Sequence, residues 1–424
     1  MSDVSAGWRS VRLKDTGTWL SGGTPFTDDP RYWDGDIPWI SAASLKDFRI
    51  SRSDRCVTEL GAVSGTRLVP AGSVLFVVRG MSLKTEFRVG FTERQVAFGQ
   101  DCKAISPASG IDAKFLALAL KAHSRQVLAM VDEAGHGTGR LPTDLISKLT
   151  INVPELPEQR CITEIIDSVD EQIQTAMRLI AKQGDLRVAS IRQLAADGLA
   201  CFDGIEASEL NRRNRRSNGS WPLVSLGTVL AGIDAGHSPD LEGIPAGPGQ
   251  WGVLKVSAVG EDGFRPVENK VVRNRGLYDP AICVRPGDLL MTRANTSQLV
   301  GRSCIVENTP PRLMLCDKTL RLRVDERSVP TRYIQIILGL AEVRRQIEIA
   351  ATGTSGSMKN ISQQSIRQLM IPLGSPEDVK CIVEVDILHE DRTSALRREA
   401  EGLRLLKQGL MDDLLMGRVL VPAG

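Results

Sequence analysis

The alternation of apolar and polar residues is most regular between Pro157 and Cys201. Apolar side chains recur there every three or four residues, at Ile162, Ile166, Val169, Ile173, Met177 and Ile180. This spacing predicts an α-helix with one apolar stripe, because the remaining faces carry acids, glutamines and lysines. A helix of about 40 residues is about 60 Å long. Because the stripe is narrow, the pattern also predicts a partner helix.

A second segment, from Pro376 to Gly417, predicts that partner. Its opening repeats the pair Cys161-Ile162 as Cys381-Ile382, an offset of 381 − 161 = 220. Leucines then follow at seven-residue intervals, with one more between them. We therefore predict that the two helices pack through Ile166, Val169, Ile173, Ile180, Leu396, Leu403, Leu406 and Leu410. The alternative is two unrelated amphipathic helices, each packed on its own domain.

The rest of the chain favours a duplication. Segments of the first half match segments of the second at an offset that stays between 221 − 8 = 213 and 381 − 161 = 220. The matches are Trp8–Leu13 with Trp221–Leu226, Trp39–Ser41 with Lys255–Ser257, Val69–Phe76 with Arg285–Met291, Asp101–Lys103 with Cys316–Lys318, and Ile151–Pro154 with Leu369–Pro372. Chance matches would scatter, so the sequence predicts an internal repeat.

Each half mixes strands and helices. Short apolar runs bounded by Gly, Pro and Asp predict strands, and one helix is expected in each half, near residues 112–133 and 330–350. The predicted fold class is α+β, with two similar mixed domains joined by two long antiparallel coiled-coil helices. The predicted boundaries are 1–156 for the first domain, 157–203 for the central helix, 204–220 for a basic linker containing NRRNRRSN (211–218), 221–374 for the second domain and 375–424 for the last helix.

Composition narrows the class of protein. The eight cysteines form no CxxC pair and no Cys/His cluster, which argues against structural zinc or a disulfide framework and fits a reducing cytoplasm. The first ten residues are polar and unlike a signal peptide, and no apolar run is long enough for a membrane helix. The net charge is only +2, from 53 basic and 51 acidic residues, so a nucleic-acid-binding protein must concentrate positive charge on one face.

The sequence contains no convincing catalytic centre. The four histidines lie in unrelated contexts, and no P-loop is present. The segment Gly135–Gly139 follows a helical pattern and recurs as Gly353–Gly356, so we interpret both as repeated flexible loops. Glu268-Asn269-Lys270 has a nuclease-like spacing but lacks a supporting acidic strand. Two modules held apart by helices can instead read two separated blocks of duplex DNA, whose major grooves recur on one face about every 34–36 Å.

Three segments resemble the specificity subunits of type I restriction–modification systems. Leu403–Val419 is similar to the C-terminal conserved helix of that family, Pro154–Ile162 to the entry of its central conserved helix, and Pro286–Arg293 to a Pro-Gly-Asp strand of its target recognition domains. The resemblance covers nearly the whole chain. Two segments depart from the family pattern: Pro70–Ser73 lacks the aspartate, and Gln193–Gly198 matches only loosely.

The resemblance implies a DNA-binding chain without catalysis or a cofactor of its own. Each domain would read one half of a split site in double-stranded DNA. The helices would act as an antiparallel spacer and dock two methyltransferase subunits, which bind S-adenosylmethionine and usually methylate adenine. Restriction subunits, which use ATP and Mg, are further implied partners in systems that restrict DNA. No membrane partner is implied, and the expected location is the cytoplasm.

Candidate DNA-contacting residues follow from chemistry, because Arg, Lys, Asn and Gln can form paired hydrogen bonds with purine edges. Polar segments come after one strand of each half, a basic residue lies on each following strand, and the glycine-rich loops carry one cation each. The candidates are Arg79, Lys84, Arg88, Arg140, Arg293, Asn295, Gln298, Arg302 and Lys359. For any one of them the alternative is a solvated or ion-paired side chain.

Two other functions remain open from sequence alone. One is a non-catalytic scaffold whose modules bind protein partners. The other is a stand-alone nuclease or methyltransferase. DNA binding through several phosphates weakens steeply with salt, which separates the DNA-binding interpretation from the scaffold.

Overall fold

The structure is a computed structural model that describes residues 7–134, 137–199, 221–260, 263–355, 358–419 and 421. The chain forms two compact units. Unit 1 comprises Met1–Leu179 and Leu396–Gly424, and unit 2 comprises Ile180–Ala395. The predicted basic linker and the tips of the two glycine-rich loops, at 135–136 and 356–357, lie outside the described residues.

The two longest helices have 39 residues each. The others are short. The helices are α1 Glu59–Val63, α2 Ala113–Ala122, α3 Ser124–Leu128, α4 Thr143–Ile146, α5 Leu156–Leu194, α6 Ala196–Leu199, α7 Thr331–Leu338, α8 Ala341–Ala350, α9 Gln363–Gln368 and α10 Pro376–Leu414.

Unit 1 contains a five-stranded sheet, a four-stranded sheet, a three-stranded sheet and a two-stranded ribbon. Its strands are β1 Arg9–Arg12, β2 Gly17–Ser21, β3 Trp33–Ile40, β4 Arg49–Ile50, β5 Cys56–Val57, β6 Arg67–Val69, β7 Val74–Val77, β8 Arg79–Gly80, β9 Val89–Thr92, β10 Val96–Phe98, β11 Cys102–Pro107, β12 Asp132–Ala134, β13 Thr138–Arg140 and β14 Thr150–Val153. The sheet orders are β2-β11-β7-β9-β4, β5-β3-β10-β6, β12-β13-β8 and β1-β14.

Unit 2 repeats this plan. Its strands are β15 Leu223–Ser225, β16 Leu230–Ala235, β17 Trp251–Leu254, β18 Val259–Gly260, β19 Gly263–Phe264, β20 Asn269–Val272, β21 Leu289–Thr292, β22 Ala294–Asn295, β23 Ser303–Ile305, β24 Leu313–Met314, β25 Thr319–Val324, β26 Thr352–Ser355, β27 Met358–Asn360 and β28 Met370–Pro372. Its orders β16-β25-β21-β23, β20-β17-β24, β22-β27-β26 and β15-β28 follow those of unit 1, but its two larger sheets each have one strand fewer, and β18-β19 form a further ribbon. Both units also contain one parallel pair at the same place, β3 with β10 and β17 with β24. The predicted α+β class and internal repeat are confirmed.

The core of each unit follows from its most apolar strand. All four residues of β7 are buried, as are all four of β21. In unit 1, helix α2 covers this strand and buries every side chain from Phe115 to Leu120. The helix starts where it does because the Asp112 side chain accepts a hydrogen bond from the Phe115 amide at 2.9 Å.

Backbone hydrogen bonds correct one part of the predicted repeat. The Val78 amide donates to Asp101 O at 2.8 Å, and the Arg293 amide donates to Lys318 O at 2.8 Å. Because Gly72 and Gly287 occupy the same left-handed turn before β7 and β21, Val78 corresponds to Arg293. Asp101 therefore corresponds to Lys318, and the sequence alignment of Asp101–Lys103 with Cys316–Lys318 was wrong by two residues. A short polar turn carries no periodicity that could have fixed its register.

The two long helices pair in antiparallel fashion, as predicted. In unit 1, Lys407 Nζ lies 2.6 Å from Asp170 Oδ1, and Arg404 Nη2 lies 3.7 Å from Met177 Sδ. In unit 2, the contacts are Gln183 Nε2 to His389 Nδ1 and Arg187 Nε to Asp386 Oδ1, both 2.6 Å. In each unit the partner number on α10 falls as the number on α5 rises. The helices end at Leu194 and Leu414, within the predicted segments 157–203 and 375–424.

Most of the predicted helix-interface residues lie on a buried or half-buried stripe. Ile166, Val169 and Ile173 are buried, and the half-buried positions are Ile180, Leu396, Leu403 and Leu410. Leu406 was wrongly assigned, because 51% of it is exposed. Lys407 takes the place in the stripe, since its aliphatic stem can pack while its ammonium binds Asp170.

Each unit's core is completed by the end of a long helix. Met411, Leu414 and Leu415 join the core of unit 1. Ile191 and Ala195 join the core of unit 2. The same offset relates Ile191 to Met411 (411 − 191 = 220) and Ala195 to Leu415, so the repeat extends to the helix ends.

A buried carboxylate links three helices of unit 2. Asp386 on α10 is completely buried and accepts from Arg187 of α5 at 2.6 Å and from Arg332 of α7 at 2.7 Å. Ile166 lies at the corresponding place in unit 1, where Lys114 of α2 instead pairs with Asp167 one residue further along α5. The carboxylate of Asp386 thus joins three elements of unit 2 at one point.

We expect Asp386→Ala to destabilise unit 2 by about 2–4 kcal/mol. The loss of the carboxylate would leave two arginines partly buried without their partner, which is strongly unfavourable, although their exposures of 29% and 25% reduce the cost. Guanidinium denaturation would measure it. Asp391→Ala, an exposed position on the same helix, is the control and should change stability by less than about 0.5 kcal/mol. Equal effects of the two substitutions would contradict the role given to Asp386.

Candidate nucleic-acid interface

The small three-stranded sheet of each unit gathers residues that are distant in sequence. In unit 1, the β8–β13 register places Arg79 opposite Arg140 and Gly80 opposite Gly139. In unit 2, the β22–β27 register places Ala294 opposite Asn360 and Asn295 opposite Lys359. Four of the nine predicted candidates thus form two cross-strand pairs, which sequence alone did not reveal.

Glycine is required where the small sheet of unit 1 meets the rest of the unit. A Cβ on Gly139 would lie 2.9 Å from Leu83 Cβ, closer than real contacts allow. Leu83 is buried in the 3₁₀ turn Met81–Lys84 that follows β8. The Leu141 amide donates to Val78 O at 2.8 Å and continues the pairing. These contacts pack the glycine face of the sheet inward and leave the face of Arg79 and Arg140 exposed.

The Arg79–Arg140 pair lies at a polar cleft of about 290 Å³ that is also lined by Gln100, Asp101 and Thr143. Both arginines are exposed. Within the described residues, neither guanidinium has an ion-pair or hydrogen-bond partner. Like charges directly opposite one another destabilise a sheet, so the pair is better suited to an electron-rich ligand than to the free protein.

Two other candidates of unit 1 are engaged by the protein itself. Lys84 Nζ lies 3.7 Å from Glu133 Oε1, a weak exposed ion pair. Arg88 donates from Nε to Glu86 Oε2 at 3.0 Å and from Nη1 to the carbonyl oxygens of Ala42 and Ala43 at 3.3 and 3.4 Å. Its side chain is only 24% exposed. The contacts favour a role for Arg88 in holding the loop after β3.

The candidates of unit 2 differ in their hydrogen bonding and in their exposure. Lys359 Nζ donates to Gly353 O at 3.0 Å, and Asn295 Oδ1 accepts from the Thr296 amide at 2.9 Å. The side chain of Gln298 is exposed, and Arg293 and Arg302 are half-buried. Burial, chiefly, lowers the pKa of the neighbouring Arg344, and the positive charge of Arg302 adds to this lowering.

The repeat does not place Arg79 and Arg293 on the same face. In the repeat, Arg79 corresponds to Ala294, and Val78 corresponds to Arg293. Neighbouring residues of a strand point to opposite faces, so the one-residue difference in sequence separates the two arginines. The position that corresponds to Arg140 is Asn360, an exposed residue that sequence reasoning missed. The glycines of the two loops do not align at the offset that relates Arg140 to Asn360 (360 − 140 = 220), so sequence alone held no signal for Asn360.

The described residues offer little support for a metal site or a nucleophilic centre. They contain no group of three or more potential metal ligands. Burial raises the pKa of the Cys102 and Cys304 thiols to about 12, so neither is a ready nucleophile. Glu268 accepts from Ser257 Oγ at 2.7 Å and lies 3.8 Å from Lys255 Nζ, a local contact between neighbouring segments. Across the described ranges, every helix is too short or too polar to span a bilayer.

Comparison with known proteins finds a family match over part of the chain. Residues 5–182 match the family described as "Type I restriction modification DNA specificity domain", so this part of the chain carries a domain of that kind. The specificity subunit of the type I restriction enzyme EcoEI from Escherichia coli is 36% identical over 155 residues, which cover 36% of this chain and 26% of that relative. The match therefore spans about a quarter of the relative's length.

Solved structures share the fold over nearly the whole chain. The S subunit of a type I restriction–modification system from M. genitalium aligns with a TM-score of 0.52 and 12% identity, covering 98% of this chain and 97% of that one. A chain from a structural study of the assembly and conformational transition of the type I system aligns with a TM-score of 0.59 and 17% identity, covering 99% and 100%. Likeness at these identities concerns the fold alone. The resemblance to type I specificity subunits is confirmed.

We expect Arg88→Ala and Arg79→Ala to affect stability differently. Arg88→Ala removes bonds to two loop carbonyls and should cost about 1–2 kcal/mol. Arg79→Ala, the matched control, removes an exposed side chain without a partner among the described residues and should stay within about 0.5 kcal/mol. Denaturant unfolding of both variants would test this. A larger loss for Arg79 than for Arg88 would show that the structural and binding roles have been exchanged.

Proposed function

We propose that this protein is the DNA sequence-specificity subunit of a type I restriction–modification complex. The observation that carries the proposal is the repeated small sheet, which presents exposed Arg79 and Arg140 in unit 1 and Asn360 beside Lys359 in unit 2. The family match of residues 5–182 supports the same conclusion. The chain would recognise DNA and leave chemistry to other subunits.

In this proposal each unit reads one half of a split site in duplex DNA. The major groove admits a two-stranded β-ribbon, and arginine and asparagine side chains can distinguish purines there through paired hydrogen bonds. Nearby cations such as Lys84 and Lys359 suit phosphate contacts, which set position and affinity but carry no sequence information. The paired helices α5 and α10 would fix the separation of the two half-sites.

The long helices also supply surfaces for partner subunits. Several large apolar side chains on their outer faces are exposed, which is unfavourable for a free protein and typical of an interaction site. They include Leu179, Val188, Leu388, Leu405 and Leu406. We assign them to two methyltransferase subunits, which would carry S-adenosylmethionine, and restriction subunits would bring ATP and Mg to the assembly.

We expect duplex DNA binding by the complex of this chain with its methyltransferase subunits to weaken steeply with salt. If six to ten phosphates are contacted, affinity should fall by about 10³–10⁵ between about 50 and 200 mM salt. Fluorescence anisotropy with a labelled duplex containing the target site would measure the slope. The purified chain alone should neither bind S-adenosylmethionine nor cleave DNA.

A scaffold that binds only proteins would show no salt-dependent duplex binding in the same assay. That outcome would reject DNA recognition and favour the alternative function. Binding of S-adenosylmethionine to the isolated chain would instead contradict the assignment of catalysis to partner subunits.

A further inference from the structure

The two small sheets differ in chemistry at corresponding positions, and this difference concerns which bases are read. From it we propose that unit 1 recognises two neighbouring G·C pairs through Arg79 and Arg140, whereas unit 2 recognises an A·T pair through Asn360. This inference rests on the proposed function and adds the base identity of each half-site.

The geometry of unit 1 favours a pair of guanine contacts. Arg79 and Arg140 are direct cross-strand partners in an antiparallel pair, so their Cα atoms are about 4.5–5.5 Å apart and their side chains leave the same face. Successive bases of duplex DNA are spaced by about 3.4 Å. Two long arginine side chains that start this close can therefore reach neighbouring base pairs, with guanine on either strand.

Charge and hydrogen-bonding capacity also favour guanine as the base that the two arginines contact. An arginine presents five donors in a planar fork, which matches the O6 and N7 acceptors of guanine. The adenine edge offers one acceptor and one donor, and a guanidinium cannot accept. Both guanidiniums lie at the polar cleft and lack partners within the described residues. A second arginine opposite the first has an unfavourable energy in the free protein, which two electron-rich guanine edges would relieve.

Unit 2 offers different chemistry on the corresponding face. Ala294, which is buried, replaces Arg79, and exposed Asn360 replaces Arg140. A side-chain amide both donates and accepts, which matches N7 and the N6 amino group of adenine. The Asn360 amide makes no side-chain hydrogen bond within the described residues. Lys359, on the opposite face, already donates to Gly353 O.

The base preference can be tested with the assembled complex of this chain and its methyltransferase subunits. Duplexes with randomised half-sites are incubated with the complex, and the bound fraction is sequenced. The wild type should select two adjacent G·C pairs in one half-site and an A·T pair in the other. Arg79→Lys and Arg140→Lys should each reduce discrimination at one of the two G·C positions by roughly 10- to 100-fold. The second half-site should stay unchanged.

Lysine keeps the charge but loses the planar fork, so these variants separate base reading from phosphate binding. Asn360→Ala should relax one A·T position in the other half-site. Arg67→Lys, at an exposed arginine on β6 of a different sheet, is the matched control and should leave all base preferences intact. The melting temperature of each variant shows that it is folded.

Several results would overturn the inference. Half-sites without adjacent G·C pairs, or an unchanged preference in Arg79→Lys and Arg140→Lys, would exclude guanine reading by this pair. A uniform loss of affinity for all sequences in Arg79→Ala would show a phosphate contact instead. If the wild-type complex selects no sequence at all, the proposed function itself fails, which is a distinguishable result.

Discussion

The structure depends on the burial of one apolar stripe along each of two 39-residue helices. Neither stripe can be buried by its own helix, so α5 and α10 must pair wherever they run side by side. The ends of the helices then complete the two cores, through Ile191 in unit 2 and through Met411 and Leu415 in unit 1. Each such buried side chain contributes about 1.5–3 kcal/mol of transfer free energy. Helix pairing and domain folding are therefore coupled.

The electrostatic contacts show how far the duplicated halves have diverged. The ion pair of Asp170 with Lys407 has a counterpart in unit 2, formed by Glu390 with Arg187. The offset of 390 − 170 = 220 is the one that relates the two long helices, so this contact is present in both halves of the repeat. Asp386, by contrast, corresponds to Ile166, and its two arginine partners make a buried contact specific to unit 2. The same divergence in the small sheets would let each half read a different sequence. A shared scaffold with independent reading faces is what a split, asymmetric DNA site requires.

Long-range periodicity made the helices and the duplication predictable, because errors in single positions average out over the length of a long helix. Registers within short segments were not predictable. Leu406 and Lys407 are neighbours in sequence, but only Lys407 lies in the helix stripe. Arg79 and Arg293 also differ by one position in the repeat, which places them on opposite faces of their strands. Cross-strand neighbours such as Arg79 and Arg140 lie far apart in sequence, so only the fold could pair them. Asn360 was missed for the same reason.

The most direct test of DNA-sequence specificity is methylation mapping in cells that carry this protein with its methyltransferase. We expect methylated bases within two defined sequence blocks, separated by a fixed number of undefined bases, and no such methylation when this chain is deleted. Methylation at one continuous motif, or a split motif that persists without the chain, would contradict the claim that this protein supplies the sequence recognition.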